Sequence, residues 1–85
     1  MEYDTNKLDD VVLALLSLTV HDETEYGGRA WKGHDCEVLN RLHEKGFISN
    51  PVSKAKSVIL TPEGLAKSRE LFKAFFANRN NSEIV

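Results

Sequence analysis

Three histidines and one cysteine are the side chains in this sequence best suited to hold a metal or take part in nucleophilic catalysis: His21, His34, Cys36 and His43. Structural zinc needs four converging ligands, commonly supplied as paired CxxC or HxxxH spacings. His34 and Cys36 stand two apart at the start of an expected helix, so their side chains diverge, and the chain holds no second pair of that kind. Cys36 with one of the histidines would make a nucleophile and a base, but no third group is placed to orient the base. The pattern reads as surface histidines and a small buried cysteine. No metal, cofactor or catalytic residue is expected, and the protein is not expected to be an enzyme.

The stretch YGGRAWKGHD, residues 26 to 35, is the nearest approach to a phosphate loop. Gly28 and Gly33 have the GxxxxG spacing, but His34-Asp35 follows where a Lys-Ser/Thr pair would hold the terminal phosphates and magnesium. The residues before it also lack a buried parallel-strand pattern. The segment therefore reads as a glycine-broken corner, with the indole of Trp31 sealing the junction between the first two helices. Arg29 and Lys32 flank that indole just ahead of a helix N-terminus, a place whose backbone N–H groups favour anions.

These residues must be positioned by a small set of elements. Asp4 or Thr5 caps a first helix, which the spacing of Leu8, Val11, Val12, Leu15 and Leu16 carries to about Thr19. Leu13, Ala14, Leu18 and Val20 widen its apolar stripe beyond one face, so burial on a second side, against another subunit, is expected. A second helix begins near His34 or Asp35, turns Val38, Leu39 and Leu42 inward and ends near Lys45, with Gly46 as the left-handed residue beyond it. Phe47-Ile48-Ser49 and Ser57-Val58-Ile59-Leu60 read as two short strands joined by a turn at Asn50-Pro51 and a loop bearing Lys54 and Lys56. Thr61-Pro62-Glu63 starts a third helix running to about Asn78, with Leu65, Phe72, Phe75 and Phe76 on its apolar side and Leu71 at the edge. Residues 1 to 78 form a single domain on this reading, and residues 79 to 85 a frayed, flexible tail.

Composition narrows the field further. At 41% hydrophobic and 28% charged, the chain suits a folded domain rather than a disordered one. Its most apolar stretch, Leu8 to Val20, is too short for a bilayer, so no membrane partner is expected. The residues at its start, Glu2, Tyr3 and Asp4, are acidic where a secretory leader is basic. The single cysteine fits a reducing compartment, and the expected location is cytoplasmic. The formal net charge of −2 conceals an acidic beginning and a basic middle. Residues 1 to 26 carry seven acids against Lys7, whereas residues 27 to 61 carry six bases against three acids. A basic middle can face an anion, although a solvated mixed surface would look the same.

The words LHEKGFI (Leu42 to Ile48) and VILTPEG (Val58 to Gly64) resemble the end of the recognition helix, the wing and the final helix of MarR-like and PadR-like regulators. That likeness covers residues 35 to 66. Over a longer span, from Leu8 to Phe76, the chain is similar to a family of small uncharacterised bacterial proteins at RAWKG, LNRLHEKG and KAKSVILTPEG. The expected fold is mainly α with a small two-stranded antiparallel β-hairpin. It is winged-helix-like in the order α-α-β-β-α, with the helix-two region shortened or missing, because Gly27 and Gly28 divide residues 21 to 33 and leave room for one turn around Arg29 to Lys32.

Two functions fit this reading. In the first, a homodimer binds double-stranded DNA: Arg29, Lys32, Lys54 and Lys56 hold phosphates, while Asn40 and Arg41 reach base edges. Leu13, Leu18, Leu71, Phe72, Phe75 and Phe76 would then join the subunits. In the second, the same shape binds protein, either another copy or an unknown partner. Asp35, Glu37 and Glu44 on the second helix favour this reading, since they repel phosphate.

Overall fold

A computed structural model of the chain describes residues 3–77. The expected helix end at Asn78 and the flexible tail at residues 79 to 85 lie outside the described residues. The order is α1 (Thr5–Leu16), a 3-10 turn (Ser17–Thr19), β1 (His21–Thr24), β2 (Gly27–Trp31), α2 (Cys36–Glu44), β3 (Ser57–Leu60) and α3 (Pro62–Phe76). The architecture is mixed α/β, with three helices and a three-stranded antiparallel sheet in the order β1-β2-β3. This corrects the expectation of a mainly α chain with a two-stranded hairpin.

The difference lies in residues 21 to 33. The reading of a glycine-broken corner with room for a helical turn is replaced by a hairpin in which Thr24 faces Gly27 and His21 faces Arg29. Gly27 makes the hairpin possible. Its φ is +124°, which side-chain-bearing residues rarely adopt, and a Cβ there would collide with the backbone carbonyl of Leu60. In β2 the residues alternate, with Gly28 and Ala30 buried and Arg29 and Trp31 exposed. Small residues thus face the helices and large ones face solvent, which is a strand pattern that the glycines disguise.

β3 pairs with β2 along its length, from Gly28 opposite Leu60 to Trp31 opposite Ser57. The expected pairing of Phe47-Ile48-Ser49 with Ser57 to Leu60 survives only as a bridge between Ile48 and Leu60, supported by the Ser49 N–H donating to the Ile59 carbonyl.

The helix ends follow local rules. Asp4 caps α1 by accepting from the Lys7 N–H at 3.0 Å, and Asp35 caps α2 through the Val38 N–H. Thr61 caps α3, accepting from the Gly64 N–H while its hydroxyl donates to the Gly46 carbonyl at 2.8 Å. The end of α2 is a Schellman arrangement: Gly46 (φ +83°) donates to His43 O and Phe47 to Leu42 O.

The helices lie on one side of the sheet, with α1 packed against both α3 and α2 and α3 touching β2 and β3. Leu13, Leu16, Leu42, Ile48, Val58 and Leu60 are fully buried between these layers. Each such aliphatic side chain contributes roughly 1.5–3 kcal/mol relative to an exposed one. Leu13 and Leu71, offered as intersubunit contacts, belong to this core instead. The reason is that α1 and α3 pack on each other and bury their own widest apolar faces. No helix among the described residues is long and apolar enough to cross a membrane.

Candidate functional site

The proposed base-reading residue, Arg41, is half-buried and held by an ion pair to α1. Asp9 is fully buried on α1, on the same face as Leu13 and Leu16. Arg41 Nε donates to both of its carboxylate oxygens at 2.9 Å, a terminal Arg41 nitrogen approaches Oδ1 at 2.8 Å, and Lys45 Nζ donates to Oδ2 at 2.9 Å. Burial alone would raise the Asp9 carboxyl, but hydrogen bonds from Arg41 and Lys45, with their charges, hold it below the ordinary carboxylate range. Arg41, read as reaching a base edge, instead joins Lys45 in tying α2 to α1. The sequence carried a signal for this, since Asp9, Leu13 and Leu16 repeat at helical spacing, and a carboxylate on an apolar stripe requires a partner.

Lys32 is likewise occupied. Its Nζ donates to the carbonyls of Pro51 and Ser53 at 2.7 and 2.9 Å, so it anchors the loop before β3. Beside it, Asn40, Cys36, Leu39, Pro51 and Val52 line a cleft of about 320 Å³. Cys36 is exposed there, not buried as expected, at the first position of α2. Lys54 and Lys56 lie exposed in the same loop, and Arg29 is exposed on β2. Among the described residues, these three cations make no ion pair.

Trp31 does not seal a corner. It is 52% exposed on the outer face of the sheet, with its ring centroid 5.2 Å from that of His21 and the planes tilted by 30°. The strand geometry accounts for the pair: His21 faces Arg29, so Trp31, two residues on, is its diagonal neighbour. The backbone fixes both residues. Trp31 N–H donates to Thr19 Oγ1 at 3.0 Å, and His21 Nδ1 donates to the Thr19 carbonyl at 2.9 Å. His43 Nδ1 similarly donates to Ile48 O at 3.1 Å. Among the described residues, no three His, Cys, Asp or Glu side chains converge as metal ligands.

A separate apolar groove of about 680 Å³ runs between the 3-10 turn and α3, lined by Ser17, Leu18, Arg69, Glu70, Phe72 and Lys73. Leu18 is 66% exposed and Phe76 48% exposed, while Phe72 and Phe75 are half-buried. The Phe76 ring packs on Phe72 at 5.1 Å and on Phe75 at 6.0 Å, and Lys7 Nζ stands 4.7 Å over the Phe75 ring. Of the six residues offered as intersubunit contacts, these four therefore gather near one surface. At its edge Arg69 forms a forked ion pair with Glu23, whose carboxyl it holds below the ordinary range.

Residues 4–78 match the family model described as a domain of unknown function, DUF6429. The chain is also 54% identical over 76 residues to the uncharacterized protein y4hR of Sinorhizobium fredii, covering 89% of this chain and 97% of that protein. No solved structure matches it. The chain belongs to the DUF6429 family.

Proposed function

We propose that this member of the family is a non-catalytic protein-interaction domain that pairs with a second copy of itself through the surface of the 3-10 turn and α3. The observation that carries the reading is that Leu18 and Phe72 line one open groove, with the exposed Phe76 ring packed against Phe72. Large apolar side chains left in water at a concave surface mark an interaction site more often than isolated ones do. The rim carries both signs, with Arg69 and Lys73 beside Glu70, as a surface that must complement itself across a twofold axis requires. A small domain, limited in the surface it can bury alone, also gains from such pairing.

The alternative, a duplex-DNA regulator, keeps Asn40, Lys54, Lys56 and Arg29 as candidate contacts. Arg41 weighs against it, since reaching a base edge would require leaving the buried Asp9 carboxylate short of a partner. The cytoplasm, as a reducing compartment, suits the exposed thiol of Cys36.

Sedimentation velocity over a wide concentration range tests the proposal. The protein should sediment as a dimer, and Leu18→Asp should sediment as a monomer with an unchanged circular dichroism spectrum. A wild-type protein that stays monomeric throughout would refute it.

A further inference from the structure

The outer face of the sheet presents a second, chemically different surface. Arg29 and Trp31 point to solvent from β2; Ile59 of β3 and His21 of β1 flank Arg29 in the pairing register. At the Trp31 end a cleft of about 420 Å³ is lined by Trp31, Lys32, Gly33, Ala55 and Lys56. Lys54 stands exposed in the loop that forms one wall. Asp22 shares a smaller cleft with Arg29 and Ile59 on the other side, which bounds the cationic area at that end.

We infer that this face binds single-stranded nucleic acid, with an unpaired base stacking on Trp31 beside His21 and the adjoining phosphates held by Arg29, Lys54 and Lys56. An exposed indole packed against an imidazole with the planes tilted by 30°, and fixed by its own backbone, is a preformed platform for a flat π-system. The bases of a duplex have both faces covered by their neighbours, so only an unpaired base offers a ring face to such a platform. The cations decide the rest of the ligand. Three positive side chains without ion pairs among the described residues suit a polyanion, and stacking without hydrogen-bond readout makes the site tolerant of sequence. Lys32 acts indirectly, since its bonds to Pro51 and Ser53 hold the loop that carries Lys54 and Lys56.

This face shares no residue with the groove proposed for self-association, so the two can fail separately. The experiment is fluorescence anisotropy of a labelled oligo(dT) in a salt titration, together with quenching of the single tryptophan. Binding should weaken with salt with a logarithmic slope near −2, about 0.7 for each of three neutralised phosphates on a single strand. Replacing Lys54 and Lys56 together with alanine should reduce that slope to about −0.7. Trp31→Ala should weaken binding by about 5- to 150-fold, and Trp31→Phe should restore most of it. The Leu18→Asp protein should bind as well as the wild type. The proposal is overturned by no binding at low salt, by equal binding of a duplex, or by a folded Trp31→Ala protein that binds normally. Quenching by a neutral oligosaccharide but not by oligo(dT) would also overturn it. If Trp31→Ala does not fold, the lysine pair decides, and an unchanged salt slope counts against the site.

Discussion

Arg41 grips the buried carboxylate of Asp9 from 32 positions away in the chain, with Nε 2.9 Å from both oxygens. This contact joins α1 to α2, and Lys45 reinforces it from one turn further along the same helix. Asp9→Asn keeps the shape but removes the charge that both cations satisfy, and should cost about 2 kcal/mol of stability, as expected for hydrogen bonds to a charged group. Chemical denaturation checks this value.

The same contact sets a pH dependence. The Asp9 carboxyl is lowered in the folded protein, so the unfolded chain takes up its proton first. The stabilisation is complete above the ordinary carboxylate value of about 4 and is lost as pH falls through the lowered folded value. Stability measured against pH should therefore show the wild type and Asp9→Asn converging on the acid side of that range. A constant difference between them down to strong acid would exclude the ion pair as the cause.

Ser68 is buried in α3 and its hydroxyl donates to the Leu13 carbonyl of α1 at 2.6 Å. The helix tightens at that point, with the Ser17 N–H turning to Ala14 O. Ser68→Ala leaves a buried carbonyl without this donor and should destabilise the fold by about 1–3 kcal/mol. A thermal melt should register the loss as a lower midpoint.

Gly27 holds a left-handed backbone against the Leu60 carbonyl. Gly27→Ala must shift the hairpin or strain it, and should cost more than about 1 kcal/mol. Amide exchange should localise the damage to β1 and β2, with residues 36 to 44 protected much as in the wild type.

Much of the frame was legible in the residues themselves. Thr61-Pro62-Glu63 specified the start of α3, and Gly46 specified the end of α2, because capping and left-handed termination depend on a few adjacent residues. Val38, Leu39 and Leu42 were read as the inward face of α2 and are buried. The hairpin at residues 21 to 31 was hidden because Gly-Gly reads locally as a break. Only the opposing strand β3 and the helices beneath it turn Gly28 and Ala30 into the thin side of a sheet.

The candidate surfaces divide along the same line. Sequence alone identified Lys54 and Lys56 as loop cations and Leu18, Phe72 and Phe76 as surplus apolar residues, because charge and hydropathy belong to individual side chains. Tertiary packing decided which of those side chains remained available. It drew Arg41 and Lys45 onto Asp9, tied Lys32 to its loop and sank Leu13 and Leu71 into the core. It also turned Trp31 outward beside His21. The physical reason is that periodicity fixes which face of an element a residue occupies, whereas its partner there depends on how distant elements pack.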